Sequence, residues 1–518
     1  MKRLLTVFVV LFSAVLAAPG ARAVDLDSLL IKSVGGPDGL KAYTDMKYYT
    51  VTGRVNMYGQ RGTFVEHVIP PSKLYLEMKF DAYSVTQGYD GAIAWQTDLN
   101  GQVTEMTGFE RKELLKTVYF ETASFIVPNR VPGTKKFEGL ITHSDTTFYQ
   151  VAFVPAGTDT VRVLYDTALG LPRIKLADMD NTRTINVNSD FRTVNGAVIP
   201  FYSKLWGIDT PIEAEFWTDA VTFNDLFDTT IFSKPTDFRT DYSFPSESTQ
   251  VTIPFEYHFG HIYVAAAVNG VKKGKFILDS GCSASVFHNG FIAGLKLPPA
   301  GTMPAKGVGG FDSFELLRTD SIQIGPVTLY RQIVGSSDLS GIGRGDTLPF
   351  GGIIGYDFLS RFPILIDYSN ELITIFNPTK FTPPSGGKEV PFTLTMQVPT
   401  VKARLLDLSG DFIVDLGNAY GLLIHNDFAA KNNLAARLSA DTSSARALHG
   451  VGGGISGVRA TLDHFQLDSL VIDSLPVVLS SATEGMTGSE IIAGNIGNEI
   501  LQRYRILFDY QRERLIFY

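Results

Sequence analysis

Two aspartates in this chain lie at matching positions, each at the end of an apolar run and two residues before a glycine. The two segments are Phe276-Ile277-Leu278-Asp279-Ser280-Gly281 and Phe412-Ile413-Val414-Asp415-Leu416-Gly417. An apolar run predicts a buried strand and the glycine predicts a turn, so each carboxylate should lie at a strand-to-turn corner. Two carboxyl groups held close together cannot both ionise, and they share one proton. One can then act as a base toward water and the other as an acid toward a carbonyl, which makes Asp279 and Asp415 a candidate catalytic pair.

Two further pairs of segments repeat in the same order, which indicates an internal duplication. The glycine-rich pair is Gly307-Val308-Gly309-Gly310 and Gly450-Val451-Gly452-Gly453, and the apolar pair is Gly352-Ile353-Ile354-Gly355 and Gly494-Asn495-Ile496-Gly497. The copies are 136 residues apart for the aspartates, 143 for the glycine-rich segments and 142 for the apolar segments. Two copies predict a pair of lobes, because stacked arrays need about three repeats or more. We expect lobe one over 251–376 and lobe two over 389–518, with one aspartate from each facing a shared cleft.

These landmarks resemble the retropepsin-like aspartic proteases, in a form whose two lobes are fused in one chain. The resemblance covers roughly residues 250–518. It rests on Asp279-Ser280-Gly281, on Gly307 to Phe311 and on Ile353 to Leu359. It implies a mainly β fold with two β-barrel lobes of the acid protease type. It also implies that Asp279 and Asp415 activate a water that hydrolyses a peptide bond, with no metal, cofactor or covalent intermediate.

The resemblance assigns supporting roles to residues near the aspartates. Ser280 would hydrogen-bond across the lobe interface, and Gly281 and Gly417 would let the backbone turn tightly under each acid. The glycine-rich segments, called here the first flap (Gly307–Gly310) and the second flap (Gly450–Gly453), would close over an extended peptide and exclude water. The alternatives are that the flaps are ordinary flexible hairpins and that the second aspartate only caps a turn.

Lobe two departs from the family at Leu416, where the family has Thr or Ser. Leucine cannot donate a hydrogen bond, so half of the side-chain bonds expected across the lobe interface are lost. Asn418 and Ala419 also replace the usual small polar continuation. Two functions therefore stay open. One is an aspartic-type endopeptidase, and the other is a protein that binds a peptide or an acyl chain without cleaving it, because lobe two has degenerated.

Residues 24–240 are predicted to form an antiparallel β domain with a few helices. Short alternating segments such as 49–55 and 161–165 predict its strands. Three segments resemble the periplasmic lipoprotein carriers, whose sheet is an open half-barrel: Gly88 to Trp95, Tyr165 to Pro172 and Asp190 to Pro200. The resemblance implies an apolar concavity that binds a hydrophobic ligand. A polar segment, 241–250, is predicted to link this domain to lobe one.

Residues 1–23 have the features of a secretory signal peptide. Lys2 and Arg3 precede an apolar stretch, and Ala21-Arg22-Ala23 forms a small-residue cleavage site. The net charge is −8, and −11 once this segment with its three basic residues is removed, which argues against nucleic acid as a partner. No later segment is long and apolar enough to cross a bilayer. We therefore expect an exported bacterial protein, periplasmic or secreted.

The remaining candidate groups carry weaker signals. Cys282 is the only cysteine, so no internal disulfide can form. A thiol nucleophile would need a base, for which His288 is the nearest candidate, and a small packed residue is the competing interpretation. The eight histidines lack zinc-binding spacing, so no metal is expected. The expected partners are a peptide or protein substrate and a hydrophobic ligand of the N-terminal domain, and the oligomeric state stays open.

Overall fold

The computed structural model describes residues 24–143, 145–236, 240–343, 345 and 347–518, and only the backbone of 442–449. The predicted signal peptide, residues 1–23, lies outside the described residues. The elements of the N-terminal part are α1 Leu26–Ser33, α2 Gly36–Thr44, β1 Tyr49–Met57, β2 Gln60–Ile69, β3 Lys73–Phe80, β4 Ser84–Tyr89, β5 Ala94–Thr97, β6 Val103–Glu105, α3 Gly108–Glu121, β7 Gly133–His143, β8 Thr146–Pro155, β9 Val161–Asp166, β10 Pro172–Met179, β11 Thr182–Val194, β12 Ala197–Gly207 and β13 Glu213–Phe223. Across the described residues, no helix has the length and apolar composition needed to span a membrane.

The N-terminal strands form one antiparallel sheet of 13 strands, in the order β6-β5-β4-β3-β2-β1-β13-β12-β11-β10-β9-β8-β7. Burial alternates along β1, which places Tyr49, Val51 and Val55 on one face of the sheet. The helix α3 covers part of this face, and its Leu114 and Val118 belong to the same apolar core as the centre of the sheet. The sheet thus buries one face against a helix, as an antiparallel sheet with alternating side chains requires.

The C-terminal part consists of short strands with a few one-turn helices. The elements of lobe one are β14 Tyr242–Ser243, β15 Gln250–Pro254, β16 Glu256–His258, β17 His261–Val268, β18 Lys272–Leu278, β19 Val286–His288, α4 Asn289–Ile292, β20 Pro299–Lys306, β21 Phe311–Ile324, β22 Val327–Ser337, β23 Phe350–Ile354, α5 Tyr356–Leu359, β24 Ile364–Asp367 and β25 Leu372–Phe376. The elements of lobe two are β26 Lys388–Pro391, β27 Thr393–Thr395, β28 Val398–Leu405, β29 Leu408–Val414, β30 Leu422–Ile424, α6 Asn426–Lys431, α7 Leu434–Arg437, β31 Asp441–Gly450, β32 Gly453–Leu467, β33 Leu470–Ser480, β34 Gly494–Ile496, α8 Asn498–Leu501, β35 Arg505–Asp509 and β36 Arg514–Phe517.

The two lobes share one strand connectivity. In lobe one, β18, β23, β19, β22, β21 and β17 pair in turn, and β17 pairs again with β18. In lobe two, β29, β34, β30, β33, β32 and β28 follow the same path, and β28 pairs again with β29. Each lobe is therefore a closed, barrel-like sheet. The predicted mainly β fold, with an antiparallel sheet followed by a β-rich second region, is confirmed.

A further sheet joins the lobes, in the order β15-β25-β24-β35-β36-β26. The strand β24 of lobe one pairs with β35 of lobe two, where Ile364 lies opposite Phe508 and Ile366 lies opposite Ile506. All four of these side chains are fully buried, and the largest apolar core of the protein runs through both lobes. Because apolar interiors are closely packed, this shared core fixes the position of one lobe relative to the other.

The segment predicted to be a polar linker, 241–250, is partly incorporated into lobe one. Asp241 is 5% exposed and accepts hydrogen bonds of 3.1 and 3.0 Å from the buried guanidinium of Arg361. The strand β14, which follows directly, pairs with β22. A buried ion pair is tolerated only when hydrogen bonds satisfy both groups, and here two parallel bonds do so. The segment therefore anchors the N-terminal part to lobe one.

Turns at one end of the N-terminal sheet also contact lobe one. Asn100, between β5 and β6, accepts a 2.7 Å hydrogen bond from the backbone N–H of Ile333 and donates a 3.1 Å bond to its carbonyl. Gln60, at the start of β2, donates a 2.6 Å hydrogen bond to the carbonyl of Thr302 in β20. The bonds of Asn100 connect the sheet to β22, and the bond of Gln60 connects it to the hairpin β20–β21, whose turn is the first flap.

The turn between β10 and β11 reaches both lobes through Asp180. Its carboxylate lies 2.6 Å from Nζ of Lys306, at the end of β20, and the two side chains are 6% and 15% exposed. The same carboxylate accepts hydrogen bonds from Ser489 Oγ at 3.0 Å and from the N–H of Glu490 at 2.8 Å, in the segment before β34. Asp180 therefore links the base of the first flap to lobe two.

We predict that Asp180→Ala loosens the first flap. Each hydrogen bond to a charged group contributes about 1.5–3 kcal/mol net, and about 1.4 kcal/mol is a tenfold change in an equilibrium. Hydrogen–deuterium exchange of the amides of Gly307 and Val308 should therefore quicken about tenfold or more. Asp178→Ala is the matched control, because its ion pair with Arg183 lies at the surface of the same turn. Unchanged flap exchange in Asp180→Ala would contradict the prediction.

Candidate active site

The two aspartates lie at the ends of the matching strands β18 and β29, each beside a turn whose amides point at the carboxyl. The N–H of Gly281 donates to Asp279 Oδ1 at 2.7 Å, and the N–H of Gly417 donates to Asp415 Oδ1 at 2.9 Å. The N–H of each aspartate donates to a carbonyl of β23 or β34 at 2.9 Å. The two corners therefore have the same local structure, and the fold brings the two predicted aspartates together.

Each carboxyl lies against the glycine of the opposite lobe. A Cβ added at Gly417 would lie 2.3–2.5 Å from the carboxyl atoms of Asp279, and a Cβ added at Gly281 would lie 2.4 Å from Asp415 Oδ1. Packed atoms do not come this close, so any side chain at either glycine would force the lobes apart. Neither glycine has a positive φ. Both glycines lie in turns, and their lack of a side chain permits the close approach of the two carboxyls.

The carboxyls of Asp279 and Asp415 are close enough to hydrogen-bond to each other. Burial raises the pKa of both groups, and the charge of Asp415 raises the pKa of Asp279 further, to well above its ordinary range. Because two carboxyls at this distance cannot both ionise, the pair retains one proton over a range of pH in which isolated aspartates are ionised. Both residues remain partly accessible, so a water and a substrate group can reach them.

The hydrogen bonds between the lobes are asymmetric. Ser280 Oγ donates to the carbonyl of Val414 at 2.7 Å and accepts from the N–H of Leu416 at 3.0 Å. The side chain of Leu416, which cannot form the reciprocal bonds, is fully buried in the core shared by the lobes. Its carbonyl accepts a 2.7 Å bond from Asn498 Nδ2, which also donates to the carbonyl of Gly260 in lobe one. Asn498, which the sequence analysis missed, thus supplies a second connection between the lobes.

The two flaps contact each other at their turns. The first flap is the turn between β20 and β21, and the second flap spans the turn between β31 and β32. The N–H of Val308 donates to the carbonyl of Val451 at 2.7 Å. Val308 packs on an apolar cluster of lobe two, whereas Val451 packs on a cluster of lobe one that includes Cys282. Each flap therefore rests on the opposite lobe.

Two residues near Asp415 were also missed by the sequence analysis. Asn495 Nδ2 donates a 2.6 Å hydrogen bond to Asp415 Oδ2, and Asn495 Oδ1 lies 2.7 Å from Nε2 of the fully buried His425. Burial lowers the pKa of His425 to about 4. One signal in the sequence could have revealed Asn495. It is a polar residue in an otherwise apolar strand, at the position that Ile353 occupies in the first copy.

The other candidate groups do not form a second reactive site. The Cys282 thiol donates to the carbonyl of Ala284 at 3.0 Å, and burial raises its pKa well above the ordinary value, so the reactive thiolate is disfavoured. His288, which we considered as its base, instead accepts a hydrogen bond from the N–H of Leu339. Within the described residues, no three His, Cys, Asp or Glu side chains are grouped in a way that could hold a metal ion.

Comparison with known proteins identifies one part of the chain at the family level. A family model described as an aspartyl protease matches residues 264–358, a range that contains Asp279 and the first flap but not Asp415. No curated protein matches the chain.

Several solved structures are similar to parts of the chain at low identity. An outer membrane lipoprotein-sorting protein domain from Vibrio parahaemolyticus is 9% identical, with a TM-score of 0.28, over 37% of this chain and 92% of that one. A LolA superfamily protein from Nitrosomonas europaea is 11% identical, with a TM-score of 0.29, over 41% of this chain and 99% of that one. Basic 7S globulin from soybean is 11% identical, with a TM-score of 0.32, over 52% of this chain and 96% of that one.

Threonine and valine have the same shape, so a comparison of Leu416→Thr with Leu416→Val separates the effect of a hydroxyl at this position from the effect of lost volume. Both should be less stable than the natural protein, because each leaves a cavity in the shared core. Because the two corners have the same local structure, we predict that the threonine hydroxyl mirrors Ser280 across the lobe interface. Leu416→Thr should then be more stable than Leu416→Val by about 0.5–1.5 kcal/mol in denaturant unfolding. The opposite order, by about 1–3 kcal/mol, would show that the hydroxyl is buried without a partner.

Proposed function

We propose that this protein is an exported aspartic-type endopeptidase, in which Asp279 and Asp415 activate a water that hydrolyses a peptide bond. The observation that carries the proposal is the contact of each carboxyl with the glycine of the opposite lobe, because this contact brings both aspartates together between the lobes. The family match over 264–358 supports the same chemistry for the first lobe. The signal-like composition of residues 1–23 supports export to the periplasm or the medium.

In the proposed reaction, a water lies between the two carboxyls and the carbonyl of the peptide. The ionised carboxyl takes a proton from this water while the oxygen of the water bonds to the carbonyl carbon. At the same time the protonated carboxyl gives its proton to the carbonyl oxygen. The gem-diol then collapses. The first carboxyl gives its proton to the amide nitrogen, the C–N bond breaks, and a gem-diol hydroxyl returns a proton to the second carboxyl. The pair ends with the single proton with which it began.

The surroundings of the aspartates favour an extended, apolar stretch of peptide as the substrate. The cluster under the second flap contains Ile277, Val286 and Phe314 of lobe one, and the cluster under the first flap contains Leu423 and Ile455 of lobe two. Apolar side chains on either side of the scissile bond would gain free energy by burial on these clusters. Flap hairpins that close over the chain would exclude bulk water from the reaction.

We predict that Asp279→Asn and Asp415→Asn each abolish peptide cleavage without unfolding the protein. Each substitution keeps the shape of the side chain but removes a proton-transfer group, for which a loss of about 10²–10⁴-fold in kcat/KM is expected. The measurement is turnover of a mixed peptide library from acid to neutral pH, with thermal unfolding as the check on folding. Asp367→Asn is the matched control, because that carboxylate ends the repeated strand β24 and bonds Asn370 and Arg505.

The second aspartate decides between the two functions that the sequence left open. Full activity of Asp415→Asn would mean that the second acid comes from elsewhere. No cleavage by the natural protein, together with tight peptide binding, would favour a non-catalytic clamp with a degenerate second lobe.

A hydrophobic ligand of the N-terminal sheet is a second candidate function, and one feature favours it. Phe64 and Leu76 lie on the face that carries the apolar core but remain partly exposed. Glu66 lies directly opposite Leu76, and burial and the charge of Glu121 raise the pKa of Glu66 well above its ordinary range. This carboxyl is therefore neutral at a pH where ordinary glutamates are charged, so it adds little charge to the apolar surface. We propose that this surface receives an acyl chain or a hydrophobic peptide.

We predict that Leu76→Glu weakens binding of a fluorescent fatty acid to the full-length protein by about tenfold or more, since it places a charge on the proposed contact surface. Val65→Glu is the matched control, because Val65 lies in the same pair of strands but on the opposite face. Fluorescence titration of the three proteins gives the dissociation constants. Equal binding by all three, or no binding by the natural protein, would count against a ligand at this surface.

A further inference from the structure

The two aspartates of the site differ in the hydrogen bonds that hold them. Asp415 Oδ1 accepts from the N–H groups of Gly417 and Asn418, at 2.9 and 3.1 Å, and its Oδ2 accepts from Asn495 Nδ2 at 2.6 Å. Asp279 Oδ1 accepts a 2.7 Å bond from its own turn at Gly281, and Asp279 also accepts from the N–H of Gly417 across the lobe interface. Donors that point at both oxygens of a carboxyl stabilise its ionised form, so this arrangement favours the anion at Asp415.

The histidine determines which way the amide of Asn495 points. His425 Nδ1 has no hydrogen-bond partner within the described residues, so the neutral ring carries its proton on Nε2. This N–H donates to the amide oxygen of Asn495, 2.7 Å away, so the NH₂ group of Asn495 faces Asp415. His425 is fully buried, and it therefore holds the amide in one orientation.

Lobe one lacks these two interactions, although it is a copy of lobe two. The position of Asn495 is occupied there by Ile353, which is buried in the apolar cluster under the second flap. His288 matches His425 in the pairing of the strands, but its Nδ1 accepts a bond from the N–H of Leu339. The difference between the two aspartates thus arises from these two side chains, together with the bond from the N–H of Asn418 in the turn of lobe two.

We propose that His425 and Asn495 are positioning residues that make Asp415 the ionised member of the pair and leave the shared proton on Asp279. The proposal rests on the proposed peptidase function for its chemical consequence. Asp415 is then the base that takes the proton from the attacking water, and Asp279 is the acid that protonates the carbonyl oxygen. After the attack, Asp415 gives its new proton to the amide nitrogen as the C–N bond breaks, and Asp279 recovers a proton from the gem-diol.

The other titratable groups around this network do not replace it. Cys282 and Tyr510 face both aspartates, and burial raises the pKa of each well above its ordinary value, so both stay neutral. Asp180 and Lys306 face His425 and form an ion pair with each other. Protonation of His425 at its other nitrogen would leave the Nε2–H donor in place. The pH dependence of the pair is therefore expected to report on the two aspartates and their donors.

Asn495→Leu tests the proposal, because it removes the donor and keeps a similar volume. The acidic limb of the pH profile of kcat/KM marks ionisation of the pair's first carboxyl, and we expect it to move up by about one pH unit. The alkaline limb should move less, since Asp415 is ionised on both sides of that step. His425→Leu should shift the acidic limb in the same direction by a smaller amount. In the double variant it should add nothing to Asn495→Leu, because it acts through the same amide.

The control and a second measurement separate this proposal from the peptidase proposal. His288→Leu should leave both limbs where they are, because that histidine does not touch the pair. Carbon NMR of labelled aspartate carboxyls, assigned with the two Asp→Asn variants, follows each group without any substrate. We expect Asp415 to ionise at a lower pH than Asp279 in the natural protein. In Asn495→Leu it should no longer ionise before Asp279.

Each result decides one of the two proposals. The expected NMR order without any peptide cleavage would sustain the positioning role and overturn the peptidase function. If Asp279 ionises first, or if Asn495→Leu changes neither the order nor the acidic limb, the positioning role is wrong. If the shifts of the acidic limb caused by Asn495→Leu and His425→Leu add up in the double variant, His425 does not act through Asn495 and has no part in the positioning role.

Discussion

The contact between each aspartate carboxyl and the glycine of the opposite lobe is the constraint on which the rest of the site depends. At Gly281 and Gly417 there is no room for a Cβ, because the carboxyl of the other lobe occupies that space. The contact forces two acids into one low-dielectric site, where they share a proton. It can persist only because the lobes cannot drift apart. The joint sheet β24–β35, the buried core that spans it and the bonds of Ser280 and Asn498 hold them in place.

The two copies have similar corners around the aspartates, but the surroundings of the two aspartates are unequal. The side chain of Leu416 cannot hydrogen-bond across the interface, and it is fully buried in the shared core. Asn498 now connects the carbonyl of Leu416 with Gly260 of the other lobe. Asn495 stands where the first copy has an isoleucine and donates a hydrogen bond to the second aspartate. Such differences between the surroundings of the two carboxyls give the proton that they share a preferred side.

Hydrogen bonds and an ion pair attach the N-terminal sheet to the strand that leads into the first flap. Asp180 bonds the base of the first flap and the segment before β34, while Gln60 bonds the same flap strand further along. The buried ion pair of Asp241 and Arg361 holds the chain in place just before the first strand of lobe one. These contacts join the N-terminal sheet to the strand that leads into the first flap. The two candidate functions of the protein are compatible in one molecule.

The sequence by itself determined the repeat, the mainly β class and the positions of both aspartates, because apolar runs, glycines and fixed offsets are local signals that survive without a structure. The flap segments Gly307–Gly310 and Gly450–Gly453 also fell on turns for that reason. Only the tertiary structure shows why a side chain does not fit at Gly281 and Gly417, since the groups that exclude a Cβ come from the other lobe. It also decided the partners of Leu416, Asn495 and Asp241. Their contacts lie roughly 80–140 residues away along the chain, and only the packing of closed sheets brings such groups together.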